Sequence, residues 1–190
     1  MRGRAWCATI ALACSSAAAA QSTSPIVVHD ATELARALTS LVAGTTLRIA
    51  SGEYTGGRSV SGIANLTVEA ADPAKAPRFV GGTTAGHFSK CPGRTLRNLS
   101  VSGQTGNGIN IDDGGEGGQG IDLVGCHRVL IDECRLSGKD GFTQSAGVQA
   151  KGGSSDVVIE DCRFTDAGAR PINAGGSTGL EYFRPKGGDL

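Results

Sequence analysis

The chain has 190 residues with 18 basic and 18 acidic side chains, so it carries no net basic field to hold nucleic acid or an anionic membrane. Its 30 glycines are scattered rather than periodic, which excludes collagen and suits a backbone that bends often. The length allows one domain and leaves little room for a second.

The first segment reads as an address rather than as fold. Arg2 and Arg4, the apolar stretch from Ala5 to Cys14, and Ala18-Ala19-Ala20 before Gln21 have the layout of a secretory signal peptide with a small-residue cleavage site. Residues 1–20 are thus expected to be removed, residues 21–190 to form the domain, and the protein to be secreted or periplasmic. No other stretch approaches the ~20 apolar residues of a membrane span. Next comes Asp30-Ala-Thr-Glu33, a capping-box pattern, with Leu34, Ala37, Leu38, Leu41 and Val42 at helical spacing behind it and Gly44 as a stop. One amphipathic helix ahead of an otherwise β-type chain predicts a cap on an open β end.

From residue 63 onward one apolar spacing recurs: Ile63-x-x-Leu66-x-Val68, Leu96-x-x-Leu99-x-Val101, Ile131-x-x-Cys134-x-Leu136 and Ile159-x-x-Cys162-x-Phe164, at intervals of 33, 35 and 28 residues. Recurrence of this kind marks stacked units, none of which can bury its apolar face alone. The short runs, rich in β-branched residues, suit strand, corner, strand. The polar pairs Ala64-Asn65, Arg97-Asn98, Asp132-Glu133 and Glu160-Asp161 fall at the corners, where Asn and Asp tolerate left-handed backbone. Further strands are expected at Phe79-Val80, Ile109–Ile111, Gly120–Leu123 and Gly147–Ala150. A leucine-rich repeat is excluded because no helix follows each unit and no copy keeps the terminal Asn. The predicted fold is all-β, a single-stranded right-handed parallel β-helix of five to seven coils with a short N-terminal capping helix. Leu66, Leu99, Cys134 and Cys162 are expected in one inward stack.

Removal of the leader leaves Cys91, Cys126, Cys134 and Cys162. Adjacent coils about 4.8 Å apart bring Cys134 and Cys162 within disulfide range, while the burial habit of free cysteine favours an unbridged stack. Zinc is not expected, since no C-x-x-C occurs and His29, His87 and His127 are dispersed.

The helix followed by GTTLRIASGEYTG at residues 44–56 resembles the opening coil of pectin-lyase-like right-handed β-helix proteins, and NLTVEAADPAKAPRFVGG and VVIEDCRF are similar to their following coils. The resemblance covers nearly all of the mature chain and implies a fold rather than a reaction, because that superfamily holds lyases, hydrolases, epimerases and non-catalytic members. Pectate-lyase signatures are reduced to the fragments Arg170-Pro171 and Arg184-Pro185. Asn110-Ile-Asp112-Asp113-Gly114 echoes part of a polygalacturonase motif whose later elements are missing. The opening coil is most like chondroitinase- and alginate-lyase-type members.

The reaction that the acidic and basic residues of this chain could serve is that of a calcium-assisted lyase acting on uronate-containing polysaccharide: the cation neutralises the uronate carboxylate and a basic side chain takes the neighbouring C–H proton. Asp112, Asp113 and Asp122, in the only local acidic excess, are the candidate calcium ligands. Lys139, Lys151 and Arg170 in the following coils are the candidate catalytic residues. The alternative is a solvated acidic loop on a non-catalytic glycan-binding or surface structural β-helix. The two readings part on whether these residues share one face. G-G-x-G-x-D at Gly117–Asp122 is a single copy of a calcium nonapeptide that works in tandem, and G-x-G-x-x-G at Gly115–Gly120 is followed by β residues rather than a helix. The sequons at Asn65 and Asn98 are explained by the corners themselves. Finally, Gly179–Leu190 reads as the start of a further coil with no cap behind it. An incomplete solenoid that self-associates through an open C-terminal edge is therefore expected.

Overall fold

A computed structural model describes residues 24–112, 127–139, 146–152 and 154–175. They form a parallel β-helix of five coils, each contributing one strand to each of three parallel sheets, with one further strand at the N-terminal edge of the first. The first sheet contains β1 (Ile26–Val28), β2 (Thr46–Ile49), β5 (Thr67–Ala70), β8 (Thr95–Arg97), β11 (His127–Asp132) and β14 (Ser155–Glu160). The second contains β3 (Glu53–Thr55), β6 (Arg78–Val80), β9 (Ser100–Ser102), β12 (Arg135–Lys139) and β15 (Arg163–Ala167). The third contains β4 (Arg58–Ser61), β7 (Gly86–Ser89), β10 (Ile109–Asp112), β13 (Ala146–Ala150) and β16 (Arg170–Ala174). The expected strands at Phe79-Val80, Ile109–Ile111 and Gly147–Ala150 are β6, β10 and β13. Gly120–Leu123 lies outside the described residues.

Strand alternation sends every second side chain inward, and coil stacking places like upon like. In the first sheet Leu47, Val68, Leu96, Ile131 and Ile159 stand in register. In the second the inward row is Tyr54, Phe79, Val101, Leu136 and Phe164, with the Tyr54 and Phe79 rings stacked at 5.4 Å. In the third it is Val60, Phe88, Ile111, Ala150 and Ala174. These rows, apart from the exposed Ala174 at the end of the third, make one core, and each fully buried Leu, Ile or Phe contributes about 1.5–3 kcal/mol. Arg94 is also fully buried, its guanidinium 3.8 Å from the Phe88 ring centroid. The outer face of the first sheet is polar, where Arg48, Glu69, Arg97 and Asp132 form a ladder of alternating charge with contacts of 3.0, 3.7 and 2.9 Å.

Helix α1 (Ala31–Leu38) caps the N-terminal end. The Asp30 carboxylate accepts from the Glu33 N–H at 2.8 Å, and Glu33 reaches back to accept from the His29 N–H at 2.8 Å. Leu34 and Leu38 close over the bore beside Leu47 and Val60. The helix is shorter than its apolar stripe: the Thr39 and Ser40 hydroxyls donate to the Arg36 and Ala37 carbonyls and end it, so Leu41 and Val42 fall beyond it, and Val42 is exposed. Among the described residues no helix is long and apolar enough to cross a membrane.

One of the four repeat copies is out of phase. Leu99, Cys134 and Cys162 occupy the corner between the first and second sheets, tied by hydrogen bonds from Arg135 N to Leu99 O and from Arg163 N to Cys134 O. Leu66 instead sits at the corner between the third and first sheets, where its carbonyl accepts from Thr95 N, so it stacks beside Arg94 rather than in the cysteine row. The identical spacing arises because both corners turn the same way. Asn65 has φ of 54°, while Asn98, Glu133 and Asp161 have 52°, 50° and 48°. Left-handed backbone costs an ordinary L-residue about 1–2 kcal/mol and Asn less. Glu133 is exposed and alone among these four has neither Asn nor Asp character. Glu133→Asn is therefore expected to raise stability by about 0.5–1 kcal/mol, read as a higher urea midpoint at unchanged slope.

Candidate functional site

Among the described residues, the third sheet carries a connected cluster of covered polar groups. Ile109 and Ile111 point inward, so β10 aims Asn110 and Asp112 outward. Register places His87 of β7 on one side of Asn110 and Gln149 of β13 on the other. These outward residues are nevertheless covered: Asn110 is 9% exposed, Asp112 6% and Gln149 4%. Buried polar groups are tolerable only when hydrogen-bonded, and these are linked across three coils. Asn107 Nδ2 donates to Gln149 Oε1 and to Asn110 Oδ1, while Asn107 Oδ1 accepts from the Ala146 N–H at 2.9 Å. Asn110 Nδ2 donates to Asp112 Oδ2 at 3.0 Å.

The chain of bonds ends at a carboxylate and an imidazole. His87 Nε2 lies 3.0 Å from both Asp112 oxygens. An ionised carboxylate only accepts, so in the neutral imidazole Nε2 carries the proton and Nδ1 keeps the lone pair of a base. The imidazole is the outer member, with its side chain 37% exposed against 8% for Asp112. Two cations follow the flanking strands. Lys90 donates its backbone N–H to Asp112 O at 3.1 Å, Lys151 donates its own to Ile111 O at 2.9 Å, and both side chains are half-buried. A buried carboxylate that orients an imidazole open to solvent has the form of a proton-transfer pair, and Lys90 and Lys151 follow the flanking strands at the same end of the sheet.

The residues singled out from sequence are divided by this geometry. Asp112 and Lys151 come together on neighbouring coils at the C-terminal end of the third sheet. Arg170 begins β16 in the same sheet but pairs with Ala146, about five positions along the strands and hence about 16 Å from that end. Lys139 closes β12 in the second sheet. Along the backbone, then, Lys139 stands in a different sheet from Asp112 and Arg170 at the opposite end of the same one. Asp113 and Asp122 lie outside the described residues, and no group of three or more His, Cys, Asp and Glu side chains able to hold a metal occurs among the described ones. His87, Asn107 and Gln149 were not selected from sequence. The signal is the pair of tetrapeptides Gly86-His-Phe-Ser89 and Ile109-Asn-Ile-Asp112, which share an in–out alternation 23 residues apart, shorter than the period of the apolar repeat.

Comparison with protein-family models, curated proteins and solved structures finds no match. The β-helix rests on its own register and topology, and its chemistry on the groups just described.

Proposed function

We propose that this is a secreted, pectin-lyase-like β-helix protein that acts on uronate-containing polysaccharide by β-elimination, with His87 as the base. The observation that carries the reading is the His87–Asp112 pair, an outward-facing imidazole held in one tautomer by a buried carboxylate. In such a reaction Nδ1 takes the proton on the carbon next to the uronate carboxylate. The released electron pair forms the carbon–carbon double bond, and the glycosidic oxygen at the β position departs and is protonated. Lys90 and Lys151 supply positive charge for the uronate carboxylate, whose neutralisation acidifies that C–H. Calcium, were it held by Asp112, Asp113 and Asp122, would be the other source of such charge. The long ladder of coils suits an extended polymer better than a small molecule.

The experiment is a panel of polygalacturonate, alginate and chondroitin incubated with the protein, with and without calcium, while unsaturated product is followed by its ultraviolet absorbance. A rise with one of the polymers is expected. A flat trace with every polymer, together with retardation of the protein in a gel containing one of them, supports instead the non-catalytic glycan-binding reading. That alternative is favoured by the separation of Lys139 and Arg170 from Asp112.

A further inference from the structure

The fifth coil is the least well held of those described. Its inward residues Val157, Ile159, Cys162 and Phe164 are only partly buried, and Val158 and Ile172 are 49% and 46% exposed. Its equivalents in the fourth coil, Ile131, Cys134 and Leu136, are at most 1% exposed. The cost of peeling away the fifth coil is therefore low, and a covalent tie to the fourth would act where noncovalent packing is weakest.

Two cysteines stand at that junction. Ile131↔Ile159 and Arg135↔Arg163 are register pairs on either side of them, and Arg163 N donates to Cys134 O at 2.9 Å, so Cys134 and Cys162 are equivalent corner positions of neighbouring coils. Neighbouring strands are about 4.8 Å apart, inside the Cα window of about 4.4–6.8 Å for a disulfide. Both cysteines are free thiols. We propose that Cys134 and Cys162 form a thiol–disulfide exchange site that staples the fifth coil to the fourth.

The two thiols have different parts. Cys134 is fully buried, its S–H directed to the Asp132 carbonyl at 3.2 Å as well as to Cys162. Donation to the Cys162 sulfur, and then burial, raise the Cys134 thiol well above its ordinary value. Cys162 is partly exposed, and by accepting from Cys134 it is pushed down to about 7. Cys162 is thus the attacking thiolate and Cys134 the resolving thiol. With a small disulfide RSSR as oxidant, the Cys162 thiolate attacks one sulfur, the S–S bond breaks, one RS⁻ leaves, and a mixed disulfide forms. Cys134 loses its proton to solvent, and its sulfur attacks Cys162 and expels the second RS⁻. Two protein thiols are oxidised by two electrons, and RSSR is reduced to two thiols.

The full chain, fully reduced and then exposed to oxidised glutathione, tests this by peptide mass spectrometry under non-reducing conditions. A cross-linked Cys134–Cys162 peptide lighter by two hydrogens is expected, forming faster as pH rises through about 7. The thermal midpoint should rise by about 5–10 °C on oxidation. Cys134→Ala should stop the reaction at a glutathione adduct on Cys162. Should that variant not fold, the wild-type arm decides alone. A folded wild-type protein that ends as a Cys162 adduct, that links either cysteine to Cys91 or Cys126 instead, or that gains no thermal stability on cross-linking overturns the proposal.

Discussion

His87→Ala is expected to lower turnover on the responsive uronate polymer by about 10²–10⁴, the usual contribution of a positioned general base, with little change in KM. The fold should survive, because the imidazole is the exposed end of its network and its removal leaves Asp112 still accepting from Asn110. Asp112→Asn should also cut turnover, by a different route. A side-chain amide can donate to Nε2, which favours the tautomer with the proton on Nδ1 and removes the base from the outward face. A thermal midpoint close to that of the parent, with activity lost in both variants, is the signature of this arrangement. Full activity in a folded His87→Ala protein would place the base elsewhere.

The largest stability effect is expected at the centre of the first sheet. Leu96 is 1% exposed and lies in register between Val68 and Ile131, so it is enclosed by a coil on each side. Leu96→Ala should cost about 3–5 kcal/mol, because the stacked neighbours are held by their own ladders and cannot collapse into the cavity. Ile159→Ala removes a side chain of similar size from the same row, but only Ile131 packs on it in register among the described residues, and it is partly exposed. Its cost should be about 1–2 kcal/mol. Urea unfolding of the two variants measures the difference. Equal losses would mean that burial in the row does not depend on a coil at both sides.

Spacing along the chain was enough to reveal the coils, because parallel stacking makes each inward position answer to the same geometric demand. Asn98, Glu133 and Asp161 show this: each was placed at a corner by the apolar pattern alone, and each turns there with positive φ. Leu66 fits that pattern without sharing the stack, since two different corners with the same left-handed turn produce the same local spacing, and only strand register separates them. The helix was likewise identified by its cap, while its end was decided by the Thr39 and Ser40 hydroxyls rather than by the apolar stripe.

The site was less legible. Asp112 and Lys151 were within reach of sequence reasoning because charge is visible residue by residue. His87 was not, because it approaches Asp112 across coils separated by 25 residues, and the pairing depends on how much chain each corner consumes. By itself the sequence determined the repeating inward pattern, the corner chemistry and the capped N-terminal end, all of which follow from short-range alternation and backbone preference. Which outward residues meet was decided only by the tertiary structure: corner lengths vary between coils, and a shift of one residue in register sends a side chain to the opposite face.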